Sequence, residues 1–390
     1  MTDTTVTTAV PDLTTLPAMD VAARSGRLRE QLSGRGTCDA LLVTNLTNIR
    51  WLTGFTGSAG KLLVRGDDLL LVVDGRYGEQ AGEQLAAAGV EAEVCVGLTI
   101  PGQYEILGAA ATSLRLGFEA DHVTVAEHDA MGDTWFPFVT ELVATTGEFA
   151  ELRLAKDDGE IARIEAAAAI ATAALDRLRG RLREAPTEAE FGLELDTEMR
   201  RLGASGPSFE TIVASGPNSA KPHHRPSSRR LTEGDLVIVD FGAKVDGYCS
   251  DMTRTFCLGP LSPDQQRLYD VVAAAQAAGV LAVRAGASCR SVDAACRDLI
   301  AEAGWRDAFS HGTGHGVGLD IHEDPRVSFS APEGATLVAR SVVTVEPGVY
   351  LPGVGGVRIE DSLVVTDDGS RILTHAPKDP DPTWPSRPTT

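Results

Sequence analysis

Two regions with different patterns of apolar and polar positions follow one another along the chain. In residues 21–148, apolar runs of strand length at 40–44 and 69–73 alternate with a segment of helical spacing at 79–88. Turn signals separate these stretches, and the region has the size of an ordinary domain. The pattern therefore predicts an α/β domain over residues 21–148.

The pattern changes after residue 148. Apolar residues recur at helical spacing from Ile161 to Leu182, and Pro186 ends this helix. Capping boxes at 187–190 and 262–265 predict the starts of two more helices, and residues 291–303 predict another. Strand-like runs lie between the helices, at residues 236–241, 248–256, 342–345 and 356–365. Glycine-rich turns predict that these runs pair as hairpins, so this region is expected to be α+β.

The two ends of the chain lack any periodic pattern. Residues 1–20 are polar and are predicted to form a flexible arm. Residues 378–390 contain four prolines and are predicted to be a disordered tail. The second domain is therefore expected to span residues 149–377.

Composition narrows the classes of function. Lys and Arg number 35 and Asp and Glu number 55, so the formal charge is −20 and the pI is near 4.8. This charge disfavours nucleic acid and anionic membranes as partners. Six scattered cysteines without a C-x-x-C pair predict a reduced, cytoplasmic protein. The sequence predicts neither a signal peptide nor a transmembrane helix.

Acidic residues stand beside buried strand runs, where an uncompensated charge is costly. Asp240 ends the run Val237-Ile238-Val239, and Asp251 lies 11 residues later on the expected return strand (251 − 240 = 11). A hairpin turn near residues 246–247 would bring the two carboxylates side by side. They would repel each other unless a cation lay between them.

The second half of the region repeats this arrangement. Glu346 ends the run at 342–345, and Glu360 follows 14 residues later on the expected return strand (360 − 346 = 14). His315 lies between the two halves, among small residues that allow close approach. Four carboxylates and one imidazole suit manganese, cobalt or iron, and zinc remains an alternative. Two such cations would form a hydrolytic centre that activates water at neutral pH.

Each of these strings alone has an ordinary structural explanation. Asp240 resembles a strand-end turn residue, and Glu346-Pro347-Gly348 resembles a common turn. The segment 311–318 would also suit a nucleotide-binding loop or a simple glycine-rich turn. The five residues favour a metal site because they occur together, in order and at hairpin spacing.

The order of these motifs resembles the pita-bread metallopeptidases, which include methionine aminopeptidase, aminopeptidase P and prolidase. The strings that carry the resemblance are Val-Asp-Phe-Gly, Gly-Tyr-x-x-Asp-x-Thr-Arg-Thr-Phe, His-Gly-x-Gly-His-x-x-Gly, Glu-Pro-Gly and Arg-Ile-Glu-Asp, within residues 150–377. The resemblance implies an α+β pita-bread catalytic domain. It also implies two divalent metal ions, with manganese expected first, and the ligands Asp240, Asp251, His315, Glu346 and Glu360.

Further residues resemble the proline-directed branch of this family. His223 matches a substrate-binding histidine, with His224 as the competing candidate, and His322 matches the histidine that holds the tetrahedral intermediate. His311 and Arg358 match positions that line the subsite for proline, and Glu346 is also the implied proton shuttle. The strings at 48–55 and 74–77 resemble the creatinase-like N-terminal domain, which implies a homodimer.

The resemblance implies an Xaa-Pro aminopeptidase, with Xaa-Pro dipeptidase (prolidase) as the alternative. A prolidase must recognise the free carboxylate of proline, and Arg358 is a candidate anchor unless it only orients Glu360. The segment 351–356 is uncharged and offers no second cation, so longer peptides are expected to be cleaved at least as well as dipeptides. Creatinase and non-catalytic peptide-binding relatives are rival interpretations, but both have usually lost ligands that this chain keeps.

Overall fold

The computed structural model describes residues 10–383 of the chain. Two compact units divide it: one is Met19–Arg153, and the other comprises the described residues before Met19 and after Arg153. Residues 1–9 of the predicted arm and 384–390 of the predicted tail lie outside the described part. None of the described helices is long and apolar enough to span a membrane.

The first unit is built on a six-stranded mixed sheet in the order β4-β3-β2-β1-β5-β6. Its strands are β1 (Ala40–Val43), β2 (Gly60–Val64), β3 (Leu69–Val73), β4 (Glu93–Val96), β5 (Arg115–Glu119) and β6 (Glu141–Thr145). Its helices are α1 (Arg24–Arg35), α2 (Leu46–Thr53), α3 (Gly78–Ala87), α4 (Ile100–Ala110), α5 (Val125–Ala130) and α6 (Glu148–Leu154), the last of which reaches the boundary between the units.

The apolar runs read from the sequence form the centre of this sheet. Every residue of β1 and β3 is buried, as expected for strands with apolar side chains on both faces. The strands predicted at 40–44 and 69–73 and the helix predicted at 79–88 are confirmed within one residue at each end. The α/β class predicted for this unit is therefore confirmed.

The second unit alternates helices with antiparallel strands. Its helices are α7 (Asp158–Leu178), α8 (Glu188–Arg201), α9 (Pro263–Ala282) and α10 (Cys289–Glu302). Its earlier strands are β7 (Gly206–Pro207), β8 (Ile212–Ser215), β9 (Leu236–Phe241), β10 (Ala243–Val245), β11 (Tyr248–Cys249) and β12 (Met252–Cys257). Its later strands are β13 (Gly314–Gly316), β14 (Glu323–Val327), β15 (Val342–Val345), β16 (Gly348–Leu351), β17 (Gly355–Arg358), β18 (Asp361–Val365) and β19 (Ser370–Ile372).

These strands form two similar halves, each packed against a pair of helices. In the first half β9 pairs with β8 and β12, and its core contains side chains of α7 and α8. In the second half β15 and β18 pair within a five-stranded sheet, and its core contains side chains of α9 and α10. This alternation of helix pairs and antiparallel strands confirms the α+β class.

Both predicted return strands are interrupted where the sequence predicted continuous strands. The run at 248–256 breaks at Ser250 and Asp251, and the run at 356–365 breaks at Ile359 and Glu360. At the first break the chains approach closely, because a side chain on Gly242 would meet the Ser250 carbonyl oxygen at 1.8 Å. The breaks place Asp251 and Glu360 just before strands β12 and β18 rather than within them.

Parts of the two chain ends differ from the sequence prediction. The arm predicted at 1–20 includes Val10, Leu13 and Leu16, which pack against the core of α7 and α8. The tail predicted from residue 378 begins with Lys378, whose ammonium group lies 2.5 Å from the buried carboxylate of Asp361. Apolar contacts hold the segment from Val10 to Leu16, and an ion pair with a buried carboxylate holds Lys378. A local sequence pattern predicts neither contact.

Candidate metal centre

Three predicted ligands meet at the interrupted strands of the second unit. Asp251, His315 and Glu360 are buried, and each offers a ligand atom within 4.8 Å of the others. Asp251 and Glu360 come from the two breaks, whereas His315 lies on β13. The two halves of the unit therefore contribute to one site.

The other two predicted ligands border this cluster. Glu346 Oε1 lies 3.5 Å from His315 Nε2, and Asp251 Oδ2 lies 3.6 Å from the same nitrogen. Asp240 pairs with Thr253 across β9 and β12. Its Oδ1 is buried and has no hydrogen-bond partner among the described residues, as expected of an oxygen that binds a metal ion.

A backbone contact fixes the orientation of the His315 ring. The Nδ1–H donates to the carbonyl oxygen of Gly316 at 3.0 Å, so the lone pair of Nε2 points to the carboxylates. Burial lowers the pKa of His315 to about 3, so the ring is neutral near pH 7. A neutral imidazole with a free Nε2 is the form that binds a metal ion.

Without a cation, burial and mutual repulsion disfavour the ionised forms of these carboxylates. Burial, followed by the charges of Glu360, Asp240 and Glu346, raises the pKa of Asp251 well above its usual value. Burial also raises the pKa of Glu346 to about 8 and that of Glu360 well above its usual range. Divalent cations would remove this penalty, so the residues present fit the expected metal pair.

One cavity of about 550 Å³ contains the whole predicted site. Its lining includes all nine predicted residues: His223, Asp240, Asp251, His311, His315, His322, Glu346, Arg358 and Glu360. The rings of His315 and His322 lie 4.4 Å apart between centroids. The structure therefore brings together residues that are separated by up to 137 positions in the sequence (360 − 223 = 137).

Comparison with known proteins gives the same assignment. The profile of metallopeptidase family M24 matches residues 162–367, and that of the creatinase/prolidase N-terminal domain matches residues 24–155. The chain belongs to metallopeptidase family M24. The resemblance drawn from the motifs and the expected pita-bread fold are thereby confirmed.

Relatives of this M24 peptidase carry the names of both candidate activities. An uncharacterized peptidase of Bacillus subtilis is 40% identical over 89% of this chain and 97% of its own length. A putative Xaa-Pro aminopeptidase of Mycoplasma pneumoniae is 37% identical over 86% and 92%. The solved Xaa-Pro dipeptidase of Bacillus anthracis has a TM-score of 0.86 and 38% identity, and covers 92% of this chain and 98% of its own.

Arg358 lines the cavity of this M24 peptidase, and its guanidinium is hydrogen-bonded to Asp240 rather than to Glu360. Its guanidinium donates to Asp240 Oδ2 at 2.6 Å, to Thr253 Oγ1 at 3.1 Å and to the Tyr350 hydroxyl at 2.8 Å. Adjacency in sequence suggested that it orients Glu360, but Thr253 Oγ1 donates to that carboxylate instead, at 2.7 Å. Arg358 orients Asp240, and these bonds leave it poorly placed to anchor a substrate carboxylate.

His311 is held by a hydrogen-bond chain that starts at Arg358. Arg358 donates to the Tyr350 hydroxyl, which donates in turn to His311 Nε2 at 2.8 Å. The His311 Nδ1–H donates to the Gly312 carbonyl oxygen at 2.8 Å. Burial and the charge of Arg358 lower the pKa of His311 to about 4, so the ring is neutral.

Sequence reasoning missed Arg326, which lines the cavity, and two residues outside its lining: Tyr350, which contacts His311, and Glu188, which contacts His224. Tyr350 looked like an ordinary apolar residue of a hairpin strand, and Arg326 like an exposed residue of a short strand. Glu188 occupies the first turn of α8, where acidic residues are common because they complement the helix dipole. Tyr350 lies two residues after Gly348, which pairs with Arg358 across the β16–β17 hairpin, and this spacing is a signal that could have been used.

Proposed function

We propose that this M24 peptidase hydrolyses the bond between the first residue of a peptide and a proline in second position. The observation that carries the proposal is the single cavity lined by five metal ligands and by His223, His311 and His322. Two cations bound there, with manganese or cobalt expected first and zinc or iron as alternatives, would activate water and polarise the substrate carbonyl group. The remaining chemistry is assigned to side chains of this chain.

Glu346 is the proposed proton carrier. A carboxylate beside a metal-activated water can take up the proton that the water loses and release it again. In the proposed reaction Glu346 accepts a proton from the attacking water and delivers it to the leaving nitrogen of proline. Its position at the end of β15, 3.5 Å from His315, supports this role.

His322 and His223 are the proposed hydrogen-bond donors to the carbonyl oxygen. Burial, followed by the charge of Arg326, lowers the pKa of His322, so its neutral ring can donate through one N–H. Donors fixed where negative charge develops usually give a large share of catalysis. His311, fixed by Tyr350, is assigned to the subsite for the proline ring.

Arg326 shifts the preference between the two candidate activities. The uncharged segment 351–356 offers no cation besides Arg358, and on that ground longer peptides were expected. Arg326 lines the same cavity, is exposed, and has no hydrogen bond or ion pair with the described residues. A free guanidinium in this place would bind the carboxylate of a C-terminal proline, so we propose an Xaa-Pro dipeptidase, with Xaa-Pro aminopeptidase as the second candidate.

The test is a comparison of kcat/KM for Ala-Pro, Ala-Pro-Ala and Ala-Ala with the manganese-loaded enzyme. The proposal expects Ala-Pro to be the best substrate and Ala-Ala to be hardly cleaved. Preference for Ala-Pro-Ala would favour the aminopeptidase. Equal cleavage of Ala-Ala would refute proline direction altogether.

The proposal also includes a cytoplasmic homodimer. All six cysteines are free, which supports a reducing compartment. The dimer rests on the resemblance of the N-terminal unit to creatinase-like domains. Light scattering on the purified full chain would test it, and a monomeric mass at micromolar concentration would contradict it.

A further inference from the structure

A fully buried carboxylate lies beneath the loop that carries His223. Glu188, in the first turn of α8, has no exposed surface. Its Oε1 accepts hydrogen bonds from the backbone N–H and hydroxyl of Ser215 at 2.8 and 2.6 Å and from Asn218 at 3.1 Å. One oxygen therefore holds the start of the loop.

The other oxygen of Glu188 holds the far end of the same loop. Oε2 accepts from the Ser227 N–H and hydroxyl at 3.1 and 2.6 Å and lies 2.9 Å from His224 Nε2. Burial alone would raise the pKa of Glu188, but these hydrogen bonds outweigh it and lower the pKa to about 2. Because an ionised carboxylate can only accept, Nε2 of His224 must carry the proton.

Backbone contacts join the same helix end to the loop. The Glu188 N–H donates to the Arg229 carbonyl oxygen and the Ala189 N–H donates to that of Ser227, both at 3.0 Å. These donors belong to the helix start, where N–H groups lack partners within the helix. The start of α8 thus binds residues 215–229 through both its backbone and the Glu188 side chain.

The His223 side chain depends on these contacts for its position. It has no hydrogen bond or ion pair with any described residue, although it lines the cavity. Its neighbours are fixed instead, because the Pro222 carbonyl oxygen accepts from Arg358 at 3.2 Å and His224 contacts Glu188. Movement of either neighbour would move the His223 ring.

We propose that Glu188 is a positioning residue for the reaction: it acts through the loop at 215–229 to hold His223 in the substrate cavity. This inference rests on the proposed role of His223 in Xaa-Pro hydrolysis. Glu188 is too deeply buried to contact the substrate, so its effect must pass through the loop. A displacement of about 1 Å at such a site can lower the rate about 100-fold.

The test compares Glu188→Gln with Glu190→Gln, two residues later on the same helix. The glutamine at 188 would present an N–H₂ group to donors and so break the contacts with the loop. Glu190 forms the capping box with Thr187 and is exposed, so Glu190→Gln weakens the helix start without touching the loop. Comparing the two variants distinguishes an effect on the stability of α8 from an effect on the position of the loop.

Hydrogen exchange of residues 215–229 is measured first, on chelated protein without substrate. Glu188→Gln is expected to speed exchange there about tenfold or more, and Glu190→Gln is expected to leave it unchanged. Unchanged exchange in Glu188→Gln would overturn the proposal. If that variant fails to fold, Ser227→Ala removes a single hydroxyl donor and must show a smaller change in the same direction; no change there would also overturn it.

Activity on Ala-Pro then shows whether the loop acts through His223. Glu188→Gln is expected to lower kcat/KM about 10- to 100-fold in the normal chain but by less than about twofold when His223 is already alanine. Equal losses in both backgrounds would mean a general structural role and would overturn the positioning role. Inactivity of the unmodified enzyme on all Xaa-Pro peptides would instead refute the proposed function, and hydrogen exchange would still decide the loop contact.

Discussion

Replacing Arg326 by alanine is expected to abolish the preference for dipeptides, because the enzyme would no longer recognise the free carboxylate of proline. Arg326 lies in the substrate cavity and has no partner among the described residues, so its guanidinium is free to bind an anion. Its charge also contributes to the lowered pKa of His322, after burial, which indicates that it lies near the reacting groups. The substitution removes one cation and breaks no hydrogen bond or ion pair between the Arg326 side chain and residues 10–383.

The size of the effect follows from this arrangement. A hydrogen bond to a charged group is worth about 1.5–3 kcal/mol, and about 1.4 kcal/mol corresponds to a factor of ten. Arg326 is exposed and therefore hydrated before substrate binds, so we expect its contribution to lie near the lower end of that energy range. Arg326→Ala should lower kcat/KM for Ala-Pro about 10- to 30-fold and that for Ala-Pro-amide by less than about twofold.

Arg225 provides a matched control. It lines the same cavity and is equally cationic, but its Nε lies 3.3 Å from the Glu210 carboxylate. Arg225→Ala should change kcat/KM for Ala-Pro by less than about threefold, because this arginine already has a partner. An equal loss for Ala-Pro and Ala-Pro-amide in Arg326→Ala would refute the anchoring role, and so would a larger loss in Arg225→Ala.

Four further outcomes are expected. Asp251→Asn should lower both the metal content and the rate, whereas His322→Ala should keep its metal and lose turnover. Loss of metal from His322→Ala, measured by elemental analysis, would contradict the assignment of His322 as a residue that does not bind metal. Exhaustive chelation should abolish hydrolysis and manganese or cobalt should restore it better than magnesium, so full activity of verified metal-free protein would refute the metal centre. In metal-free protein the raised pKa of Glu346, about 8, means that the folded chain keeps a proton that the unfolded chain has lost, so the Tm should fall as pH rises from about 7.5 to 8, above most of the range in which histidines of the unfolded chain titrate; a constant or rising Tm there would count against it. Arg254→Met should cost about 3–5 kcal/mol in urea unfolding, because it leaves the buried Asp361 without its guanidinium at 2.8 Å; a loss below about 1 kcal/mol would show that Lys378 suffices.

Much of the candidate site could be predicted because the expected ligands stand at ends of apolar strands. Asp240 and Glu346 end buried runs, where a charge needs a partner, and hairpin spacing indicated their neighbours. The turn at Asp246 and Gly247 was also predictable, and both residues adopt positive φ values of 45° and 81°. These features depend on short stretches of sequence.

The rest depends on contacts between distant segments. Arg358 binds Asp240, 118 positions away, although adjacency suggested Glu360. The break at Asp251 lies where Gly242 and Ser250 pass closely, and a strand pattern carries no sign of such an approach. Glu188 has the appearance of any acidic residue at a helix start until the loop that covers it is known.

The proposed ligands are spread over both halves of the second unit, from Asp240 to Glu360, and this spread affects when the proposed centre can form during protein synthesis. A nascent chain on the ribosome can pair β9 with β12 early, but it lacks Glu346 and Glu360 until β15 and β18 have emerged. Until then it exposes two aspartates that would bind cations weakly and without selectivity. Metal acquisition should therefore be a late, nearly all-or-none event in the maturation of the enzyme, and metal supply would govern how much active enzyme accumulates rather than how much chain is made.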